Sequence, residues 1–200
     1  MKGERKMCNQ KSNLRIERVN GDISPFHKKL YDTFPPEEII PLSSMETAYK
    51  AGKYHVYLLY ESESVVGYGF ICDAGNDYMF WDYIVIDEKR RGNGLGQYFA
   101  RTIITEEFAG KAFLVEVDEK PTDSENREHS RHRLLSKLGF TWQSHIQFKF
   151  DDEGLGHFTP YELYIYSDNH KLLSIEEISS LWDAYCKNTN APGRYNIEAR

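Results

Sequence analysis

The order of secondary-structure elements predicts an α+β fold with a central mixed, mostly antiparallel β-sheet of about seven strands flanked by helices. Alternating or apolar runs typical of strands occur at 14–19, 56–61, 65–72, 78–86, 113–117, 141–150 and 161–166. Helical patterns separate only some of these runs, which gives the order β-α-α-β-β-β-α-β-α-β-β. Such an order favours antiparallel neighbours with one parallel pair in the middle of the sheet.

Four helices are predicted inside this order, at 22–34, 44–51, 95–108 and 126–138. Each ends at a residue that stops helices, namely Pro35, Gly52, Gly110 and Gly139. A fifth, extra helix is predicted near the C-terminus, where Ser174 and Glu177 have the spacing of a capping box. Its face of Leu181, Trp182 and Tyr185 is apolar or aromatic, which leaves open packing on the sheet, a lid over a cleft or a dimer contact.

Composition excludes several classes of protein. The 200 residues carry a net charge of −6, which argues against general affinity for nucleic acid. No apolar stretch has the length of a membrane span, and the N-terminal residues lack the apolar region of a secretory signal. The three cysteines, Cys8, Cys72 and Cys186, fit neither a zinc spacing nor a disulfide framework. We therefore expect a cytoplasmic protein without a metal site.

A glycine-rich turn joins the strand at 78–86 to the helix at 95–108, and it reads Asp87-Glu88-Lys89-Arg90-Arg91-Gly92-Asn93-Gly94-Leu95-Gly96-Gln97. The first N–H groups of a helix lack intrahelical partners, and glycines let the backbone approach a pyrophosphate closely. Two arginines add cationic donors. The turn has neither the closing Lys-Ser/Thr of a P-loop nor the G-x-G-x-x-G spacing of a dinucleotide site. The alternative is a surface turn with solvated arginines.

The spacing of Arg91, Gly94 and Gly96 in this turn, together with a helical segment that ends in Lys137-Leu138-Gly139-Phe140, resembles two signatures of the GNAT superfamily of N-acetyltransferases. The spacing Arg91-x-x-Gly94-x-Gly96 is similar to the loop of that superfamily that binds the pyrophosphate of acyl-CoA. The segment 131–140, which ends in Lys137-Leu138-Gly139-Phe140, resembles its second signature. The resemblance covers residues 14–166 and is strongest at 78–108 and 131–140. It implies a GNAT-like fold of the kind the element order predicts.

The resemblance also implies an activity. It is the transfer of an acetyl group from acetyl-CoA, as co-substrate, to a primary amine of a small molecule or peptide, by direct attack in a ternary complex without a metal. The cofactor would be bound by the exposed edge of a central strand, by the glycine turn and by one residue before the next helix. These residues are Ile84, Val85, Ile86, Arg91, Gly92, Asn93, Gly94, Leu95, Gly96, Gln97 and Asn126.

Two carboxylates are candidates for the general base that the resemblance implies. Asp82 precedes an apolar triplet in the central strand, where an unpaired charge is costly, and alternation predicts that it shares a face with Ile84. Glu116, near the end of the following strand, is the second candidate. A structural role is the alternative for each. Leucine at position 135 stands where the superfamily often has the tyrosine that acts as general acid, so that role is absent or moved.

The remaining predictions concern partners and boundaries. His129 and His132 lie on a charged helix face and are expected to be solvated, with contact to the 3′-phosphate of CoA as the alternative. Residues 1–12 are predicted to be disordered, 13–167 to form the acetyltransferase domain and 168–200 to form a helical extension and tail. The expected partner is an amine acceptor, neither nucleic acid nor membrane, and a homodimer is left open. The other functions left open are a CoA-binding module with little catalysis and an unrelated α+β domain.

Overall fold

The computed structural model describes residues 13–118, 128–151, 159–190 and 194–200. Its strands are β1 (Leu14–Arg18), β2 (Tyr54–Glu61), β3 (Ser64–Gly75), β4 (Tyr78–Ile86), β5 (Ala112–Asp118), β6 (Thr141–Trp142), β7 (Ile146–Asp151), β8 (Thr159–Tyr166) and β9 (Arg194–Ala199). Its α-helices are α1 (Ser24–Lys28), α2 (Leu42–Lys50), α3 (Leu95–Thr102), α4 (Glu128–Leu138) and α5 (Ile175–Thr189). Helix α3 continues as a π-helical turn, Ile103–Glu107.

All of these strands belong to one sheet, with the order β1-β2-β3-β4-β5-β8-β7-β9 and with β6 paired to β8. Strands β4 and β5 are parallel, and the other described pairs are antiparallel. The predicted α+β fold with a mostly antiparallel sheet and a central parallel pair is therefore confirmed.

The two parallel strands separate after a short stretch of pairing. The pairs run from Tyr78 with Ala112 to Phe80 with Leu114, and further along β4 the described part of β5 forms none. From there β5 pairs with β8 on its other side as far as Asp118. The β4 backbone from residue 81 to residue 86 therefore has an edge on the β5 side that is not paired with any strand of the described residues.

The sheet separates two apolar clusters. One cluster lies on the side of α3 and α4 and includes Phe99, Ile103 and Leu135. The other contains Met45 of α2 and Trp182 of α5, together with inward-facing residues of the sheet. Helices therefore cover both faces, and the gap between β4 and β5 lies between the two layers.

Helix α5 is a structural part of the sheet's second face. Its predicted capping box is present, since the Ser174 hydroxyl accepts from the Glu177 N–H and the Glu177 side chain accepts from the Ser174 N–H. Trp182 and Tyr185 are buried against Phe80 of β4. Of the three roles left open by the sequence, packing on the sheet is therefore one that the helix fulfils.

Several boundaries differ from the sequence predictions. The first helix is short and continues as a 3₁₀ turn, Lys29–Asp32. The single strand predicted at 141–150 is divided into β6 and β7, and β9 was not predicted at all. The prediction of disorder at 1–12 falls outside the described residues. Among the described residues, no helix combines the length and the apolar character that crossing a membrane requires.

Candidate active site

The glycine turn takes a conformation that only glycine adopts readily. Gly92 and Gly94 have φ angles of +80° and +76°, and a Cβ atom at either position would meet nothing within 4 Å. Gly94 is the N-cap of α3, and no side chain caps this helix. The turn therefore presents the free N–H groups of a helix N-terminus at an open surface, where an anion would be stabilised.

The cations of the turn also brace it. Arg90 forms an ion pair with Glu61 at the end of β2, and Arg91 donates from Nε to the Ile86 carbonyl oxygen at 3.0 Å. Asn93 donates from Nδ2 to the Arg90 carbonyl oxygen at 3.3 Å. Both arginines remain exposed, so the turn keeps its positive charge at the surface.

The other residues predicted to bind the cofactor lie around this turn. Leu95 is buried, whereas Gly96 and Gln97 at the start of α3 are half-buried. A Cβ atom at Gly96 would lie 3.6 Å from Ile86 Cγ1 and 3.8 Å from Leu134 Cδ2, which are ordinary contacts. The side chains of Ile84 and Ile86 pack towards α3, and that of Val85 is buried on the opposite face. Asn126 lies outside the described residues.

A β-bulge in β4 changes the predicted orientation of Asp82. Phe70 of β3 pairs with Tyr83 and Ile71 pairs with Trp81, so Asp82 is an extra residue without a partner on β3. The prediction that Asp82 shares a face with Ile84 is wrong, because the extra residue shifts the alternation by one position. Ile84 packs on the side of α3, whereas the Asp82 carboxylate lies on the side of α5.

The Asp82 carboxylate is held in an unusual environment. The Tyr54 hydroxyl donates a hydrogen bond to its Oδ2 atom, whereas Oδ1 is buried and has no hydrogen-bond partner among the described residues. The residue as a whole nevertheless keeps partial exposure. Burial raises the pKa of this carboxyl to about 7, although the hydroxyls of Tyr54 and Tyr185 lower it. A carboxyl with such a pKa can exchange a proton near neutral pH.

The second candidate base lies on the same face of the sheet as Asp82. Glu116 of β5 alternates with Val115 and Val117, whose side chains belong to the cluster on the α3 side. Burial is the main cause of the raised pKa values of Tyr83 and Tyr185 beside Asp82, and the nearby Glu116 adds to both. The structure thus brings the two predicted carboxylates to the same side of the β4–β5 gap.

Three tyrosines that the sequence did not predict as site residues organise this region. Tyr54 binds Asp82, and Tyr185 lies close to the same carboxylate. The Tyr83 hydroxyl donates to the Glu38 carbonyl oxygen at 2.8 Å and accepts from the Ile40 N–H at 2.9 Å. Tyr83 thereby holds the segment before α2 against the bulge. No local sequence signal distinguishes these tyrosines from ordinary core residues.

Two predictions on α4 have different outcomes. Leu135 is buried in the apolar cluster beside α3, so its side chain serves packing. The prediction that His132 is solvated is wrong, because it is buried and its Nδ1 atom lies 2.7 Å from the Tyr164 hydroxyl and 3.2 Å from Glu162 Oε2. Burial and the neighbouring Glu162 raise the pKa of Tyr164 well above its ordinary value, so this tyrosine is a weak acid. The side chain of His129 is outside the described part of the chain.

Comparison with known proteins settles the family. Residues 23–140 match the sequence profile described as "Acetyltransferase (GNAT) family". The chain belongs to this acetyltransferase family. The GNAT match includes β4, the glycine turn and α4 but ends before β7, β8 and α5. No curated protein sequence matches the chain significantly.

Solved structures share the GNAT fold at low sequence identity. A GNAT-family protein from Bacteroides thetaiotaomicron is 17% identical with a TM-score of 0.67, and the match covers 86% of this chain and 96% of the other. A Bacillus subtilis acetyltransferase solved with CoA is 14% identical, with a TM-score of 0.56 and coverage of 77% and 98%. A protein from Salmonella typhimurium, solved with acetyl-CoA, is 16% identical with a TM-score of 0.56 and coverage of 82% and 99%. These similarities establish the fold.

Proposed function

We propose that this GNAT protein transfers an acetyl group from acetyl-CoA to a primary amine of a small molecule or peptide, by direct attack in a ternary complex. The observation that carries this proposal is the position of the glycine turn. It leads directly from the unpaired edge of β4 into the N-terminus of α3. A pyrophosphate site therefore follows a strand edge that is free to bind an extended ligand.

The cofactor would be bound mainly by the backbone. The N–H groups from Arg91 to Gln97 would hold the pyrophosphate, and the edge of Ile84, Val85 and Ile86 would pair with the amides of pantetheine. The compatibility of this fold with such a ligand is supported by solved relatives that contain CoA or acetyl-CoA. We also propose that Asn126 contacts the bound cofactor, as the sequence predicts.

We assign the role of general base to Asp82, with Glu116 as a second carboxylate beside the acceptor. Asp82 would accept a proton from the acceptor amine, directly or through a water molecule. The amine nitrogen then forms a bond to the thioester carbonyl carbon, the C–S bond breaks and its electron pair leaves with the sulfur. A thiolate whose conjugate acid has a pKa of about 8.5 can leave without a general acid, so Leu135 does not prevent transfer.

The second candidate function is a CoA-binding module with little catalysis, and the observation that favours it is the buried Leu135. We also propose that the protein is cytoplasmic, the compartment that its three isolated cysteines indicate. The two functions differ in turnover. Because a non-catalytic module would bind acetyl-CoA without consuming it, thiol release separates the two.

The experiment measures thiol release from acetyl-CoA across a library of primary amines, for the parent protein and for Asp82→Asn. We expect the variant to lose about 10²- to 10⁴-fold in kcat, the usual contribution of general base catalysis, with acetyl-CoA affinity unchanged. The control is Asp168→Asn, since Asp168 is an exposed residue after β8. Turnover at the parental rate in Asp82→Asn would exclude Asp82 as the base. Tight binding without turnover on any amine would favour the non-catalytic module.

A further inference from the structure

We propose that helix α5 is part of the catalytic apparatus: its Tyr185, together with Tyr54 of β2, positions the Asp82 carboxylate so that Oδ1 is the atom that receives the proton. This inference rests on the proposed function and adds two positioning residues to it. It also gives a role to a helix that lies beyond residues 23–140, the part matched by the family profile.

Helix α5 is anchored at both ends, so the position of Tyr185 is well defined. The capping box around Ser174 fixes its first turn. Near its C-terminus, Asn188 donates from Nδ2 to the Asp73 carbonyl oxygen of β3 at 2.6 Å. A helix tied down in this way holds its side chains in place better than a loop would.

The ring of Tyr185 is enclosed by two aromatic side chains. Its centroid lies 4.4 Å from that of Phe80 on β4 and 5.1 Å from that of Trp182 on α5 itself. Tyr185 is 6% exposed and Tyr54 is fully buried. Burial raises the pKa of both tyrosines well above the ordinary value, so both hydroxyls stay protonated at neutral pH and can donate hydrogen bonds.

The two oxygens of Asp82 are therefore not equivalent. Oδ2 accepts from Tyr54, whereas Oδ1 has no hydrogen-bond partner among the described residues. An unsatisfied buried acceptor is costly, and it is a place where a ligand N–H or a water molecule would be stabilised. Tyr185 lies close enough to lower the pKa of Asp82 without occupying Oδ1 at hydrogen-bond geometry. Oδ1 is thus the carboxylate oxygen that no described protein group satisfies, and we assign the proton of the amine to it.

The groups around Asp82 explain why these hydroxyls matter. The titratable neighbours come from β2, β3, β4, β5 and α5, and they are Tyr54, Cys72, Tyr83, Glu116, Tyr185 and Cys186. Within the described part of the chain, this set contains no cation. The pKa values of these cysteines and tyrosines are also raised, so none of them carries a charge at neutral pH. The hydroxyls of Tyr54 and Tyr185 are therefore the groups that offset the cost of burying the Asp82 charge. An ammonium acceptor would supply the missing positive charge.

The test compares Tyr54→Phe and Tyr185→Phe with the parent in two pH-dependent readouts. One is the pH profile of kcat/KM. The other is the titration of the Asp82 carboxyl in the free protein, followed by ¹³C NMR and assigned with Asp82→Asn. Loss of a donor should move both midpoints to higher pH by about 0.5–1 unit, because the charged carboxylate loses a stabilising hydrogen bond. A purely structural role of the hydroxyls would leave both midpoints where they are.

Tyr195→Phe is the matched control. The Tyr195 hydroxyl also bonds to α5, through Asp183 Oδ1 at 2.6 Å, but it is not among the hydroxyls that lower the pKa of Asp82. An equal shift in this variant, or unchanged midpoints in both test variants, would overturn the inference. Two variants are used so that one remains informative if the other does not fold.

Calorimetric titration of acetyl-CoA into each variant separates this inference from the proposed function. Retained affinity with unchanged midpoints would contradict only the positioning role. Failure of the parent to bind acetyl-CoA would contradict the proposed function, whatever the NMR titration gives.

Discussion

The Tyr54 hydroxyl donates a hydrogen bond to Oδ2 of Asp82 and thereby ties β2 to the bulge of β4. This contact lies on the α5 side of the sheet, whereas the glycine turn leads into α3 on the other side. The gap between β4 and β5 lies between these two layers. In the proposed reaction, acetyl-CoA is bound on the α3 side and the acceptor amine meets Asp82 from the α5 side.

The raised pKa of Asp82 predicts a pH-dependent loss of stability. Its ordinary value is 3.8 and its value in the folded protein is about 7, so the folded state binds the proton more tightly than the unfolded state. The contribution of Asp82 to the free energy of unfolding is fully present below the ordinary pKa of 3.8. It is lost as the pH rises through the pKa of about 7 in the folded protein. The loss amounts to about 1.4 kcal/mol per pH unit and about 4 kcal/mol in all.

Urea unfolding of the parent and of Asp82→Asn at about pH 4.5, 6 and 8 measures this effect. Because asparagine does not titrate, the free energy of unfolding of the variant should rise relative to the parent from pH 4.5 to about pH 7 and then stay constant. Asp168→Asn, at an exposed position, controls for the removal of a carboxylate. A difference between Asp82→Asn and the parent that is constant over this range would show that Asp82 is not protonated near neutral pH.

Tyr83→Phe should loosen the segment that precedes α2. The hydroxyl that it removes donates to the Glu38 carbonyl oxygen and accepts from the Ile40 N–H, so both groups lose a partner. We expect a loss of about 1–3 kcal/mol in the free energy of unfolding, measured in urea. Tyr31→Phe is the control because Tyr31 is 52% exposed. Equal stabilities of the two variants would mean that the segment is not held by Tyr83.

Ser174→Ala should lower the free energy of unfolding by about 1 kcal/mol, because it removes the hydroxyl that caps the N-terminus of α5. Ser180 is an exposed residue in the interior of the same helix and provides the control. There, alanine should be neutral or slightly stabilising, since it is the better helix former. Thermal or urea unfolding of the two variants checks the prediction, which a loss at Ser180 as large as that at Ser174 would contradict.

Features set by local sequence could be predicted. Strand β4 begins and ends where its pattern indicates, at Tyr78 and Ile86, and the capping box of α5 forms as its spacing predicts. Gly139 has a φ angle of +92°, as expected for a left-handed helix C-cap. These features depend on residues close together in the chain, and the family resemblance rests on segments of the same kind.

Features set by distant partners could not be predicted. The bulge at Asp82 depends on the register with Phe70 and Ile71 of β3, and one extra residue was enough to reverse the predicted face. His132 is buried because Glu162 and Tyr164 approach it from β8. Strand β9 was missed although Tyr195, Asn196, Ile197 and Glu198 alternate as in a strand, and among the described strands it pairs with β7. The contact of Tyr54 with Asp82 is of the same non-local kind.

The most direct test of the central claim is calorimetric titration of acetyl-CoA into the parent, Gly94→Glu and Gly110→Glu. Both glycines have positive φ angles, +76° and +82°, with nothing within 4 Å of a Cβ, so both variants carry the same backbone strain and the same added charge. Only Gly94 caps the helix that follows the glycine turn. The account predicts saturable binding to the parent and to Gly110→Glu, and none to Gly94→Glu. Failure of the folded parent to bind, or equal binding by all three proteins, would contradict it.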